Sequence, residues 1–451
     1  MLSAKDNELM CRVGPGTEMG AVMREYWIPA LLSSELPAPD CPPTRLRLLG
    51  ENLIAFRTTS GQVGVVVDAC PHRGASMFFG RNEEEGLRCV YHGWKFDVNG
   101  TCVDMPSEPA ESNFKTKVRI RAYSASERNN VIWLYMGSRG EPPPLPDLEA
   151  NMLPEGSYMV EKRYRECNWV QALEGDIDTS HLGFLHLGAL RPEEAPLGSF
   201  DYYTVADRAP KYLVRDTEFG TSYGAYRPAE EDTYYWRTAH FLFPFYTMIP
   251  TGVLGVQILA RAWVPIDDEN TMFWNMGAPS TRGNGQGSRS EVRTETQGPA
   301  PGARSPYGLR PDSTEWLGKF RLVQNKVNDY MIDRENQRSV TYTGIQGIFE
   351  QDQAVTESMG VIYNRTDERL GTSDAMVIRT RRRLIGAARA LRDHGELPPG
   401  VDDPEVYRYR SGGVILPRSV DYVDATKRLL KAFVEHKPEE VFEPSIPVEG
   451  S

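Results

Sequence analysis

The chain has 451 residues and a formal net charge of −11 at pH 7. That length exceeds one small domain and supplies apolar residues for two or three cores, while the acidic balance argues against nucleic acid as a partner. No apolar run approaches the ~20 residues that span a bilayer, and the opening MLSAKDNELM lacks the apolar centre of a secretory leader, which argues against a membrane or secreted setting.

Residues 5–30 read as a short helical or irregular lead. From Arg45 come short runs, RLRLLG, NLIAFR and VGVVVDA, then VRIRAYSASE and VIWLYMG, which read as antiparallel strands. Asn99-Gly100 after WKFD is a hairpin signal. The block 40–140 is thus a compact all-β unit. Inside it lies CPHRGASMFFGRNEEEGLRCVYHGWKFD, Cys70 to Asp97, where Cys70 and His72 are two apart, Cys89 and His92 three apart, and sixteen residues separate the pairs. Two thiolates and two imidazoles on paired loops suit a two-iron, two-sulfide cluster, with both Cys on one iron and both His on the other. A structural zinc is the competing reading, but zinc modules usually pair like with like, and each pair here is mixed. Pro71, Gly74, Gly93 and Trp94 fit two tight loops closing over a cluster. The other cysteines, Cys11, Cys41, Cys102 and Cys167, show no pairing pattern and read as reduced thiols of a cytoplasmic protein.

EPPPLPDLE, Glu141 to Glu149, reads as a stiff linker. Beyond it, YYWRTAHFLFPFYTMI and VQILARAWVPI predict one sizeable antiparallel sheet. The chain then turns to Gly, Ser, Pro and charge over about 279–313, where Gly283, Gly285 and Gly287 have dinucleotide-like spacing without a preceding strand, so a flexible insertion is the better reading. Helical patterns follow in EWLGKFRLVQNKVNDYMIDRENQR, DAMVIRTRRRLIGAARALRDHG and DYVDATKRLLKAFVEH. The basic run Arg379–Arg383 and the acidic run Glu83–Glu85 read as solvated faces.

Of seven histidines, four fall in two short motifs, the second being NWVQALEGDIDTSHLGFLH with His181 and His186. Glu174 and Asp178 precede His181. On a helix Asp178 and His181 share a side, whereas His181 and His186 lie about 140° apart, so both could face one metal only if the helix opens locally, as at Gly183. Two imidazoles plus one carboxylate leave open positions on iron(II) for dioxygen and substrate.

The first motif resembles the Rieske iron–sulfur domain. Together the two resemble the catalytic α subunit of the Rieske non-haem iron oxygenases, and RVGPGTEMG, YWIPALLSSELP, NWVQALEGDIDTSH and FEQDQAVTESMG look most like the phthalate 4,5-dioxygenase-like branch. The resemblance implies an α+β chain: an N-terminal lead at 1–38 packing on the catalytic domain, an all-β Rieske domain at 39–145, and a catalytic domain at 146–451 with an antiparallel sheet flanked by helices. It implies a [2Fe-2S] cluster on Cys70, His72, Cys89 and His92 and a mononuclear Fe(II) on His181, His186 and a distant carboxylate. Asp352, five residues before Glu357, is the choice for that ligand, with Glu350 as competitor and Asp176 assigned a capping or surface role. It gives Asp178 the task of joining His92 of one subunit to His181 of its neighbour, which implies a homotrimer or stacked trimers.

With no flavin or nicotinamide motif in the chain, electrons would come from a separate NAD(P)H-dependent reductase, directly or through a ferredoxin. The expected substrate is an aromatic compound, and a carboxylated one would want an Arg fork, for which Arg208 and Arg237 are candidates. HFLFPFYTMIP carries no cation and reads as sheet core or an apolar pocket wall. A double clamp for a dicarboxylate is not evident, which leaves dioxygenation of an aromatic acid and O-demethylation of a methoxylated or bulkier aromatic both open. A Rieske electron-transfer protein and a zinc-stapled binding protein are the readings of other classes.

Overall fold

A computed structural model describes residues 2–109, 111–186, 200–278 and 305–436. The first sheet has six strands in the order β1-β10-β9-β4-β3-β2, from β1 (Trp27–Leu32), β2 (Thr44–Leu48), β3 (Glu51–Arg57), β4 (Val63–Val67), β9 (Ala122–Arg128) and β10 (Val131–Tyr135). A second sheet of four short strands, β5 (Arg81–Glu83), β6 (Gly86–Arg88), β7 (Lys95–Phe96) and β8 (Cys102–Asp104), follows chain order. β2 alternates buried and half-buried residues, as a one-sided strand should, whereas VIWLY of β10 is buried throughout. The hairpin expected at Asn99-Gly100 joins β7 to β8, with Gly100 at φ +76°.

The segment read as a lead holds two helices and a strand: α1 (Ala4–Cys11), α2 (Glu18–Arg24) and β1, which pairs with β10. β1 escaped the sequence reading because WIPALL is apolar on both faces and shows no alternation.

The larger sheet runs β11-β17-β16-β15-β14-β13-β12, with β18 also on β14. Its strands are β11 (Met159–Arg165), β12 (Lys211–Asp216), β13 (Gly220–Pro228), β14 (Thr233–Leu242), β15 (Tyr246–Met248), β16 (Leu259–Pro265), β17 (Thr271–Gly277) and β18 (Gly412–Pro417). The helices are α3 (Trp169–Ile177), α4 (Phe200–Ala206), α5 (Arg334–Ser339), α6 (Ile348–Ser358), α7 (Ala375–His394) and α8 (Tyr422–Thr426). α3 lies against β14, β15 and β16 and touches α6, while α7 covers β12 and β13 and receives α1 and α2. In HFLFPFYTMIP, Phe241, Leu242, Phe243, Phe245, Tyr246 and Met248 are buried in the main core, as the sheet-core reading expects.

Two predicted helices are largely absent. Over 315–338 only α5 is α-helical, because Lys319 turns inward to Glu35 and Thr44, and Phe320, Asp329, Tyr330 and Met331 take positive φ. Over 421–436 α8 stops at Thr426, because the backbone at 430–432 bonds instead to Arg408 and Arg410. The basic run is not one solvated face either: Arg381 is 4% exposed, held by Glu174 and Glu368. The Gly283, Gly285 and Gly287 cluster lies outside the described residues. Among the described residues no helix is long and apolar enough to cross a membrane.

Candidate metal centres

The two cluster loops share one construction. The Gly74 N–H donates to the Cys70 carbonyl at 2.8 Å and the Gly93 N–H to the Cys89 carbonyl at 3.0 Å, and both glycines take positive φ, +75° and +78°. A side chain at either position would be strained there. Cys70 N–H closes its loop on the Ala75 carbonyl and Cys89 N–H on the Trp94 carbonyl, each at 2.8 Å. The loops bring the Cys70 and Cys89 thiols into contact; burial foremost, then that neighbour against a backbone bond from His72, pushes the Cys70 thiol up to about 11. The His72 and His92 rings meet edge to face with centroids 4.3 Å apart, and Trp94 stacks on His72 at 4.3 Å. His72 Nδ1 is buried with no hydrogen-bond partner. The rim carries exposed Phe79, Val90 and Tyr91.

The second motif folds differently from the helix its spacing invites. Asn168 caps α3 by accepting from Val170 N–H, and the helix ends at Ile177. Asp178 then accepts from Ser180 N–H at 2.7 Å and His181 N–H at 3.3 Å, starting a single 3-10 turn at His181–Gly183. No straight helix joins His181 to His186, and their rings converge to 5.1 Å between centroids. Gly183 serves packing: a Cβ there would lie 2.9 Å from Cγ of Arg208.

Asp352, on α6, reaches this turn from far along the chain. Its Oδ1 lies 3.5 Å from His181 Nε2 and 3.3 Å from His186 Nε2. His181, His186 and Asp352 each offer one ligand atom, all within 4.8 Å of one another. His181 Nδ1 faces Asp178 Oδ2 at 3.4 Å. His186 Nδ1 lies 2.7 Å from Gln351 Oε1, and Gln351 Nε2 donates to the Ile345 carbonyl at 2.8 Å, which fixes the oxygen toward the histidine. Both Nδ1 atoms therefore donate in the neutral tautomers, leaving two Nε2 lone pairs and a carboxylate oxygen around one space. Burial alone would raise the Asp352 carboxyl, but His186 and His181, when protonated, hold it at about 2. Burial likewise opposes ionisation of Asp178, and the bond to His181 overcomes it and holds that carboxyl below the usual range.

Glu350 stands outside this set: it is buried toward Gly347, and burial raises its carboxyl. Asp176 is neither a cap nor a surface group; it is buried against Arg261, Thr247 and the Trp263 indole, tying α3 to the sheet. Arg208 is exposed with its guanidinium 5.1 Å over the Phe184 ring, whereas Arg237 is buried and its Nε donates to Thr179 Oγ1 at 2.9 Å. Gln351 was missed, and its only signal was adjacency to Asp352.

A Rieske [2Fe-2S] domain model matches residues 26–123, and the model described as LigXa C-terminal domain like matches residues 134–440. Over 437 residues the chain is 48% identical to the oxygenase subunit of 3-chlorobenzoate-3,4-dioxygenase from Comamonas testosteroni, covering 96% of this chain and 100% of that one. The chain belongs to the Rieske non-haem iron aromatic oxygenases. It is also 36% identical to the oxygenase subunit of phthalate 4,5-dioxygenase from Pseudomonas putida, covering 96% of each chain. The crystal structure of dicamba monooxygenase shares the fold, with a TM-score of 0.54 at 15% identity over 82% of this chain and 99% of that one.

A Rieske oxygenase subunit carries a [2Fe-2S] cluster and a mononuclear iron, and both sites here fit them. The orphaned Nδ1 of His72 and the meeting thiols match the mixed nitrogen and sulfur donors of the cluster. The three electron-pair donors facing one another at His181, His186 and Asp352 match a divalent cation with open positions. The protein is an oxidoreductase, the terminal oxygenase of an aromatic dioxygenase or monooxygenase system.

Proposed function

We propose that this oxygenase hydroxylates a carboxylated aromatic compound by dioxygenation, on a centre formed by His181, His186 and Asp352. The observation that carries the reading is the convergence of those side chains with Asp178 directly behind His181. When bound, the cluster on Cys70, His72, Cys89 and His92 supplies single electrons and the iron supplies a place for dioxygen beside the substrate. Asp178 and Gln351 hold the two imidazoles with Nε2 turned inward. Asp178 keeps 28% of its side chain exposed, which leaves an edge for a second imidazole. His92 of a neighbouring subunit is that partner in this reading, and the assembly is a homotrimer or stacked trimers. The exposed Tyr91 and Val90 beside His92 support a covered surface there.

The electron source is a separate NAD(P)H-dependent reductase, with or without a ferredoxin, in the cytoplasm. The likeness to the 3-chlorobenzoate and phthalate oxygenase subunits supports an aromatic acid as substrate. Arg237, buried beside Thr179, is the stronger of the two sequence candidates for its carboxylate, and exposed Arg208 the weaker. Incubation with a surrogate reductase and a panel of benzoates, phthalates and methoxybenzoates tests the reading. A cis-dihydrodiol from a benzoate or phthalate is the expected product. Formaldehyde release from methoxybenzoates, with benzoates and phthalates untouched, would replace dioxygenation by O-demethylation.

A further inference from the structure

A cavity of about 350 Å³ lies between the Rieske domain and the catalytic sheet. None of the cluster or iron ligands lines it. β1 and β2 contribute one part of its wall, β11, β16 and β17 another, and part of the segment 313–320 completes it. Leu46, Leu48, Val264, Met272, Trp274 and Phe320 make the lining mainly apolar. A volume of a few hundred Å³, apolar walls and a place between two domains are the usual marks of a small-molecule site.

Two ammonium groups enter this cavity and share one carboxylate. Lys162 Nζ donates to Glu35 Oε1 at 2.6 Å and to the Ala30 carbonyl at 3.3 Å. Lys319 Nζ donates to Glu35 Oε2 at 3.1 Å and to Thr44 Oγ1 at 2.8 Å. An ammonium has three N–H donors, so among the described residues each lysine keeps one unused. The Lys162 side chain is 3% exposed, with its ammonium 4.8 Å from the centre of the Trp274 ring and 4.5 Å from that of Phe320. Burial lowers this ammonium despite Glu35, and Lys319 adds to that. Of the other nearby carboxylates, Asp267 is paired with Arg47, Asp312 accepts from Phe320 N–H, and Glu315 is exposed. Arg45, whose Nε is buried with no acceptor, brings a further cation to the lining. A surplus cation in an apolar enclosure is costly unless an anion joins it.

We propose that this cavity is a second ligand site, separate from the iron centre, for a small aromatic monocarboxylate. Its carboxylate takes the unused N–H groups of Lys162 and Lys319 in charge-assisted bonds, and its ring fills the space walled by Leu46, Leu48, Met272 and Trp274. A rigid flat ring loses little freedom there and gains contact with the aromatic lining. The ligand touches strands of both domains, so it favours their packed arrangement by mass action. The inference goes beyond the substrate reading and does not rest on it, because the lining alone sets the ligand's chemistry.

Crystals of the holoenzyme soaked in 4-iodobenzoate test this, because the anomalous scattering of iodine marks where the ring lies. An iodine peak in the cavity is expected. Excess benzoate should displace it, and equal excesses of neutral benzamide or of octanoate should leave it in place. In solution, calorimetric titration of the holoenzyme should show a 4-iodobenzoate component that Lys319→Met weakens by roughly 10–100-fold. Cluster absorbance and iron content should match wild type in that variant; if it does not fold, the wild-type crystals still decide. An empty cavity overturns the site, and so does an unchanged isotherm in Lys319→Met. Iodine in the cavity with no matching component in solution is binding at crystal concentration only and overturns it too. Displacement by benzamide overturns the role of the charge, and displacement by octanoate overturns the aromatic class. Iodine beside His181, His186 and Asp352 alone overturns the cavity site while the aromatic-acid reading stands.

Discussion

Asp352 sets one carboxylate oxygen before two imidazole nitrogens, and that juxtaposition makes its role separable from that of Glu350. Asp352→Ala should lose the mononuclear iron and keep the cluster spectrum, whereas Glu350→Ala should keep both; metal analysis beside visible absorbance checks this. Gln351→Leu removes the acceptor that holds His186 and should weaken the mononuclear iron by roughly 10–100-fold, read by chelator competition. Asp178→Asn keeps the turn but loses the charge that orients His181. Turnover should fall by roughly 10–100-fold with both metals retained, and hydroxylation at the normal rate would remove Asp178 from the electron path. Cys70, His72, Cys89, His92, His181 and His186 were legible because spacing alone narrows their chemistry. Gln351 and Lys162 were not, since a Gln beside an Asp and a Lys in a strand usually face water. Only burial singles them out, with the bond to His186 for Gln351 and the bond to Glu35 for Lys162.

At the scale of elements, α3 is anchored by a buried ionic cluster. Glu174 of α3 bonds to Arg365 and Arg381, and Arg381 also bonds to Glu368. Removing one charge from such a cluster leaves another buried and unpaired, so Glu174→Gln should cost about 3–5 kcal/mol, measurable as a lower denaturation midpoint. Burial alone would raise the Glu174 carboxyl, but Arg365 and Arg381 hold it below its ordinary 4.5. Its contribution is therefore complete above pH ~4.5 and is lost as pH falls through the lower folded value, where the unfolded chain binds more protons. Wild type should lose stability more steeply than Glu174→Gln below that pH; parallel slopes would deny Glu174 this role. The pattern of the sequence located strands such as β2, β3 and β10, where local alternation or β-branched density is strong. It misplaced helices at 315–338 and 421–436, where backbone groups found tertiary partners that outweigh helical periodicity.

At the scale of the whole molecule, an oxygenase predicts about three irons and about two acid-labile sulfides per chain, and only two irons in active protein would favour simple electron transfer. The proposed path between subunits has its own test. His92→Ala, inactive alone, and Asp178→Asn, slowed alone, should gain activity above either when co-expressed and assembled together, because some interfaces then pair an intact His92 with an intact Asp178. Random mixing should restore roughly a quarter of the interfaces. No recovery in verified mixed assemblies would place the path within one chain.

By itself the sequence singled out the donor residues of the cluster loops and the His181–His186 pair, because ligand chemistry constrains residue type and short spacing, while the choice of Asp352 came from the family resemblance. The tertiary structure alone decided how those groups meet. It ended α3 before Asp178, carried α6 across more than a hundred residues of sequence to the same turn, and buried Lys162 against Glu35. Distances between residues far apart in the chain come from sheet register and helix packing, and no local pattern encodes them.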